Sequence, residues 1–422
     1  MASNHKIVII GAGTAGITVA AQLLRKDKNL DIAIIDPADK HYYQPAWTLV
    51  GAGTYNMDKT ERDMASLIPS GANWIQDAVM EVLPDENAVV LKNGDRITYE
   101  YLVACPGIQI DMDGIEGLEE SFGKNGICSN YVDPEYTWEV LQNFKGGHAL
   151  FTQPATAIKC GGAPQKIMYL ADDYLRREGV RADSKISFFT PGSVIFGVEP
   201  FKTTLTEVVD RKNITVRFFH KLTRIDGPNK KAYYRIIQHA GEPTKLCYNY
   251  QNVGEENLSE EEVVVPFEML HLAPPQSAPD FIKRSKIAHQ DGASKGWINV
   301  NIHSLQHNEY PNVFALGDAA ALPTAKTGAA VRKQAPVVVE NLFHLMQNEK
   351  QLSEDYHGYS SCPLVTGYGK MVLAEFDYDG NRDSDPALSR LFDTSKELWS
   401  MWILKKYGLP YMYWNLMLKG RA

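Results

Sequence analysis

The chain of 422 residues contains no run of about 18 or more apolar residues, so none of it reads as a helix that crosses a bilayer. It also has no C-x-x-C pair. Its five cysteines, Cys105, Cys128, Cys160, Cys247 and Cys362, are scattered, which suits neither a zinc site nor a disulfide-stapled secreted domain, and no metal site is expected. Basic excess is missing too: 43 basic residues against 51 acidic ones give a net charge of −8, where a general nucleic-acid binder would be basic. The opening MASNHKIVIIGAG lacks the charged, apolar and cleavage regions of a signal peptide, so no cleaved signal is expected. What remains is an ordinary globular composition, 44% hydrophobic and 22% charged, with room for two or three domains.

The first chemistry-bearing stretch follows at once. Lys6 to Ile10 is a buried-strand run, Gly11-Ala12-Gly13-Thr14-Ala15-Gly16 follows it, Ile17 to Leu24 reads as a helix, and Asp36 closes the next strand. This is a dinucleotide fingerprint in context: the glycines permit a tight turn and close backbone approach, the helix start holds pyrophosphate, and the acid takes ribose hydroxyls. Two later segments, TYEYLVACPG ending at Gly107 and NVFALGD ending at Gly317-Asp318, resemble the remaining FAD segments of the flavoprotein disulfide reductase superfamily. Their order makes FAD the expected occupant. Lys326, in the small-residue stretch after Asp318, is a candidate for stabilising negative charge on reduced flavin, against the commoner solvent-facing fate of a lysine.

A second glycine fingerprint for nicotinamide is absent. The equivalent strand, His148 to Thr152, runs into QPATAIKCGGAPQK, where Pro154 and Lys159 are poorly suited to close approach by a pyrophosphate. Cys160 stands there instead, just before a helix opened by Pro164. Its position alone leaves it between a small buried apolar residue and a thiol made acidic by a helix N-terminus; the missing fingerprint favours the second. Lys166 could add to that acidity, though a solvated helix face is the default for it. Beyond this, KKAYYRIIQ and KLCYNYQNV, separated by Gly241-Glu242-Pro243, read as a β-hairpin carrying a structural Cys247, and EENLSEEE reads as a solvated loop.

The C-terminus crowds Trp399, Trp402, Tyr407, Tyr411, Tyr413 and Trp414 among aliphatic residues, and from Lys396 onward it holds five basic residues against one acidic. A short helical hairpin of this composition, broken at Gly408-Leu409-Pro410, suits a membrane-surface anchor; a dimerisation pair or a lid on the core are the alternatives.

HYYQPAWTLVGAG (41–53), AIKCGGAPQKIMYL (157–170) and SCPLVTGYGKMVLAEFDY (361–378) resemble the sulfide:quinone oxidoreductase family, in the branch that includes the mitochondrial enzyme. The likeness runs over nearly the whole chain. It implies a monotopic, peripheral membrane flavoenzyme that oxidises sulfide at a cysteine pair, passes electrons through FAD to a quinone such as ubiquinone or menaquinone, and gives the sulfane sulfur to a small acceptor or releases it as polysulfide. Matched to the motifs, the catalytic pair is Cys160, facing the flavin, and Cys362, carrying the persulfide; Cys362 read alone divides evenly between packing and chemistry. Pro45 falls among the cofactor-binding positions with Gly11, Gly13, Gly16, Asp36, Gly107, Gly317, Asp318 and Lys326. Cys128 lies near where distant members carry a third cysteine, but it and Cys105 read as structural. Ala319 departs from members with a cysteine after Gly-Asp.

The expected fold is α/β, with two Rossmann-like domains, one for FAD and one a degenerate NAD-like domain, and a C-terminal membrane-associating helical tail. The expected divisions are 1–142 and 289–360 for the FAD domain, 143–288 for the degenerate domain with Cys160, and 361–422 for the quinone and membrane region with Cys362. A homo-oligomer is compatible with the chain. Two other functions share this outline: a type-2 NADH:quinone reductase, which the missing second fingerprint opposes, and a non-catalytic membrane-docked redox sensor.

Overall fold

A computed structural model describes residues 3–237 and 247–422. The run from Ile7 to Ile10 is apolar at every position, as in a strand covered on both faces, and it forms the end of β1 (Ser3–Ile10) inside a seven-stranded sheet. The chain then crosses through α1 (Thr14–Lys26) to β2 (Ile32–Ile35), which runs parallel to β1 with Ile7 opposite Ile32. On the other flank β3 (Arg96–Ala104) is also parallel to β1, and it pairs in parallel with Val313–Ala315 from far down the chain. These strands end at one edge of the sheet. That edge therefore receives the turns at Gly11, Asp36, Gly107 and Gly317, the usual place for a ligand in a parallel sheet.

A second, six-stranded sheet holds, in spatial order, Ile127–Cys128, Met269–Leu272, β4 (Gly147–Thr152), Ser184–Phe189, Thr215–Arg217 and Cys247–Tyr248; only the last pairing is antiparallel. From β4 the chain passes to α2 (Ala163–Arg177), whose Pro164 stands in the first turn and whose Ile167, Met168, Leu170, Ala171 and Leu175 are fully buried. A hairpin of β5 (Ser360–Gly367) and β6 (Lys370–Phe376) shares that core. It brings the C-terminal part of the chain onto the helix that Cys160 precedes.

Two sequence expectations fail here. Lys231–Ile236 does not pair with the segment around Cys247: it is sandwiched antiparallel between His220–Asp226 and Glu262–Pro266, while Cys247–Tyr248 joins the second sheet. The Gly241-Glu242-Pro243 turn of the expected hairpin lies outside the described residues. The nearer turn wins, because Gly227 to Lys230, with Lys230 left-handed at φ +52°, closes a shorter loop. The acidic run is also not wholly loop, since exposed Glu256–Asn257 pairs with Glu262–Pro266.

The tail is not a broken hairpin either. Trp399–Ile403, Leu404–Gly408 and Leu409–Asn415 form one continuous helical run, with Gly408 in ordinary helical geometry at φ −68°, ψ −50°. The middle turn is π-helical, and its extra width accommodates Pro410. This run straddles both cores: Met401 and Trp402 pack with α2 and the β5–β6 hairpin, whereas Tyr413, Met417 and Leu418 pack into the first sheet's core. Trp399, Tyr407 and Tyr411 point outward, 59–68% exposed. No described helix is long and apolar enough to cross a membrane.

Candidate active site

The edge of the first sheet is built on glycine where only glycine fits. Gly11 leaves β1 at φ +98°, and a Cβ there would lie 2.5 Å from the Cys105 carbonyl oxygen; a Cβ on Gly16 would collide with the Gly11 carbonyl. Beside Gly13 the space is open. The loop thus presents bare backbone at the start of α1, where free amides and the helix dipole favour phosphate. Asp36 accepts from the Ala12 N–H at 2.7 Å and the Ala38 N–H at 2.8 Å; burial raises its pKa against those two bonds. Gly107 turns the chain at φ +77° beside open space. The Gly317 N–H donates to Gln334 Oε1 at 2.9 Å. Next to it the half-buried Asp318 carboxylate has no hydrogen-bond partner among the described residues, and burial raises its pKa although Lys326 and Lys159 oppose this.

The second centre is sulfur. Cys160 closes the long turn between β4 and α2 in left-handed backbone, φ +52°, a geometry that costs a residue with a Cβ about 1–2 kcal/mol. The turn is held on several sides. The Cys160 N–H donates to the Lys326 carbonyl at 2.8 Å, and the Cys160 carbonyl accepts from the Ala163 N–H at 2.8 Å and the Tyr131 hydroxyl at 3.0 Å. Cys362, on β5, is 3% exposed, and its thiol is in hydrogen-bond contact with Cys160; both cysteines are free. Gly162 makes room for this meeting, because a Cβ there would lie 2.6 Å from Cys362 Sγ.

Two lysines complete the centre. Lys166 Nζ donates to Cys160 Sγ at 2.8 Å, and the side chain is 1% exposed, so the expected solvated helix face is wrong. The reason is helical spacing: Ala163, Lys166, Ile167 and Leu170 share the inner stripe of α2. Lys405, from the π turn of the tail, is 2% exposed and donates to the Pro45 carbonyl at 2.9 Å. The Cys362 hydrogen bond holds the Cys160 thiol well below its usual range, aided by Lys166 and opposed by burial. Cys362, as donor to that sulfur and itself buried, is pushed well up. Burial pulls the Lys166 pKa down, but the two sulfurs outweigh it and the net shift is upward. Burial and the Lys166 charge take Lys405 down to about 7. The arrangement is a thiolate accepting from a thiol and an ammonium, with a second lysine poised to gain or lose its proton.

Lys326 ties the two centres. Besides its carbonyl bond to Cys160, its Nζ donates to the Asp318 and Ala320 carbonyls at 2.7 and 3.2 Å and lies 3.9 Å from the centre of the Trp297 ring; burial lowers its pKa to about 8. Solvent is not its main partner. Cys128 is fully buried, pushed up to about 12 by that burial, and Cys105 is buried beneath the Gly11 loop. Sequence reasoning missed Lys405, which it placed among the basic surface residues of the tail. The signal was its helical spacing from the buried Met401 and Trp402. For Tyr131 no such signal exists.

Open backbone at Gly13, the glycine-enforced turns and the unpaired Asp318 carboxylate fit a dinucleotide with a hydroxylated chain, beside which the sulfur pair is anchored through Lys326. Residues 5–139 match the family model described as pyridine nucleotide-disulphide oxidoreductase. The mitochondrial sulfide:quinone oxidoreductase of Mus musculus is 42% identical, with 99% of this chain and 88% of that protein covered. The mitochondrial protein of the same name from Schizosaccharomyces pombe is 36% identical, with 99% and 91% covered. The X-ray structure of the sulfide:quinone oxidoreductase from Aquifex aeolicus superposes with a TM-score of 0.75 over 98% of this chain and 92% of that one; at 20% identity it establishes the fold. With these identities spanning nearly its whole length, the chain belongs to the sulfide:quinone oxidoreductase family.

Proposed function

We propose that this chain oxidises sulfide at Cys160 and Cys362 and delivers the electrons through FAD to a quinone. The observation that carries the reading is the contact between a stabilised Cys160 thiolate and the Cys362 thiol, with Lys166 on the thiolate at 2.8 Å. FAD is the family's cofactor; here Gly11, Gly13, Gly16 and Asp36 would hold its phosphates and ribose, and Asp318 its ribityl hydroxyls. When bound, it accepts two electrons from the sulfur pair and releases them to quinone.

The residues' own part starts from the oxidised pair. HS⁻ attacks Cys362 Sγ of a Cys160–Cys362 disulfide; the S–S bond breaks, Cys362 becomes a persulfide, and Cys160 leaves with the electron pair as a thiolate. Lys166 neutralises that charge in a buried setting, where an unpaired thiolate would be costly. A small nucleophile such as a thiol or sulfite takes the outer sulfur from Cys362, leaving two reduced cysteines. Two-electron oxidation then restores the disulfide. Trp399, Tyr407 and Tyr411 on the outer face of the tail suit contact with a bilayer surface, from which an apolar quinone would arrive.

Anaerobic addition of sulfide to the purified flavoprotein tests this. The flavin absorbance is expected to bleach, and Cys160→Ser to abolish the bleaching. An unchanged spectrum with sulfide alongside full reduction by NADH would falsify it.

A further inference from the structure

The C-terminal helix ends against the glycine loop rather than beside it. Tyr413, 5% exposed and packed 4.6 Å from the Tyr43 ring centre, places its hydroxyl 2.5 Å from His41 Nε2 and 2.8 Å from Thr14 Oγ1. His41 Nδ1 is 3.1 Å from the Ala12 carbonyl oxygen. Burial lowers the His41 pKa to about 4, so the ring is neutral near pH 7 and carries one proton. A carbonyl can only accept, so that proton is on Nδ1 and points at Ala12. Nε2 is then bare and must accept from the Tyr413 hydroxyl, which leaves Thr14 to donate to the tyrosine oxygen. The chain has one direction throughout: Thr14 to Tyr413 to His41, and His41 to Ala12.

Both ends of this chain lie in the glycine stretch 11–16. Ala12 uses its N–H for the Asp36 carboxylate, and Thr14 is the first residue of α1. Farther along α1, Gly420 sits so close that a Cβ on it would lie 2.8 Å from the Gln22 nitrogen, and Gln22 Nε2 donates to the Ala422 carbonyl at 3.3 Å. The tail therefore lies along the helix from its first residue to its third turn.

We infer that Tyr413 is a positioning residue for FAD: the C-terminal helix clamps the phosphate-binding loop through the Tyr413–His41 hydrogen bond, so that loosening the tail weakens cofactor binding. This rests on the FAD reading above. It makes the tail, whose Lys405 already reaches the sulfur centre, part of the cofactor site as well.

The test is FAD affinity, measured by fluorescence titration of deflavinated full-length protein, together with the melting temperature of the apoprotein. Tyr413→Phe keeps the packed ring and removes only the hydroxyl. Its FAD Kd should rise about five- to tenfold, the size of one lost hydrogen bond, and the melting temperature should fall more with FAD present than without. Thr14→Val removes the donor at the other end and should raise the Kd about threefold; it carries the test should Tyr413→Phe fail to fold. The double variant should match Tyr413→Phe alone. A Kd within twofold of the parent in the single variants, or single effects that simply multiply in the double variant, overturns the clamp. Absence of FAD binding by the parent would instead overturn the cofactor reading.

Discussion

Two strand-to-helix turns occupy equivalent places in the two sheets and differ in length and in what they present. After β1 the chain needs three residues to reach α1, and the left-handed position is Gly11; after β4 it needs ten to reach α2, and the left-handed position is Cys160. The short turn keeps its backbone bare for a phosphate. In the long turn a side chain occupies the strained position, and its amide is used up on Lys326. A crossover whose backbone amide is tied to a neighbour can thus present a thiol at the mouth of a helix, provided that neighbours fix the strained residue. Here Tyr131, Ala163 and Lys326 do so.

Glycine substitutions separate the two turns most sharply. Gly16→Ala drives a methyl into the Gly11 carbonyl and should abolish FAD binding, seen as loss of the visible flavin spectrum in purified protein. Gly162→Ala should leave that spectrum in place while forcing Cys362 away. A displacement near 1 Å is enough to slow sulfide bleaching by roughly 10²-fold in stopped-flow measurements. Gly161→Ala, with nothing within 4 Å of the added methyl, is the control and should bleach at close to the parent rate.

The same turns mark what could be read in advance. Gly11 to Asp36 was legible because a buried strand, a glycine turn and a helix follow one another locally. Cys160 was legible only as a choice between packing and chemistry, and Cys362 became its partner by family resemblance, since separation along a chain sets no distance in space. Lys405 was illegible for a further reason: its burial depends on both cores meeting the tail, and the surrounding aromatics and basic residues imitate an exposed anchor. The misplaced hairpin at Lys231–Ile236 arose from weighting Gly241-Glu242-Pro243 over the closer Gly227 to Lys230 turn.

On the function proposed above, Lys166 is what would make the longer turn reactive. Lys166→Met removes the ammonium and leaves Cys160 with the Cys362 hydrogen bond and the charge of Lys405, so its pKa should climb. The parent pKa is depressed, so the stability contributed by the thiolate is present above the unfolded value and is lost as pH falls through the folded one. The rate of iodoacetamide labelling should follow the same midpoint. It should shift upward in Lys166→Met, with bleaching at pH 7 slowed about tenfold; an unshifted midpoint would leave the ion pair without a role.

Lys405 should have a smaller effect on stability, of the same sign, since its pKa is depressed as well. Its folded pKa is depressed to about 7, so it loses its proton as pH rises through 7, and the cost of keeping it neutral while the unfolded chain takes up a proton builds as pH falls from 10.5 toward 7, lowering stability over that window. The charge it carries below 7 attracts anions to the sulfur pair. The ratio of Cys160 labelling by iodoacetate to labelling by iodoacetamide should fall about threefold between pH 6 and 8, a comparison in which the thiolate fraction cancels. In Lys405→Met the ratio should be flat.

Cys128 supplies the smallest expected effect and the cleanest contrast with Cys160. Both thiols belong to one apolar core, yet among the described residues no lysine acts on Cys128, which is 0% exposed and is pushed up to about 12 by burial. The Thr137 hydroxyl meets its thiol, a contact that a serine could also make. Cys128→Ser should therefore bleach with sulfide within twofold of the parent and lose about 1 kcal/mol in urea unfolding, from burying a hydroxyl in place of sulfur. Cys160→Ser should lose the bleaching altogether. If Cys128→Ser slowed bleaching tenfold without a stability loss, burial beside the site would no longer separate a packing thiol from a reacting one, and the sulfur centre would have to include all three cysteines.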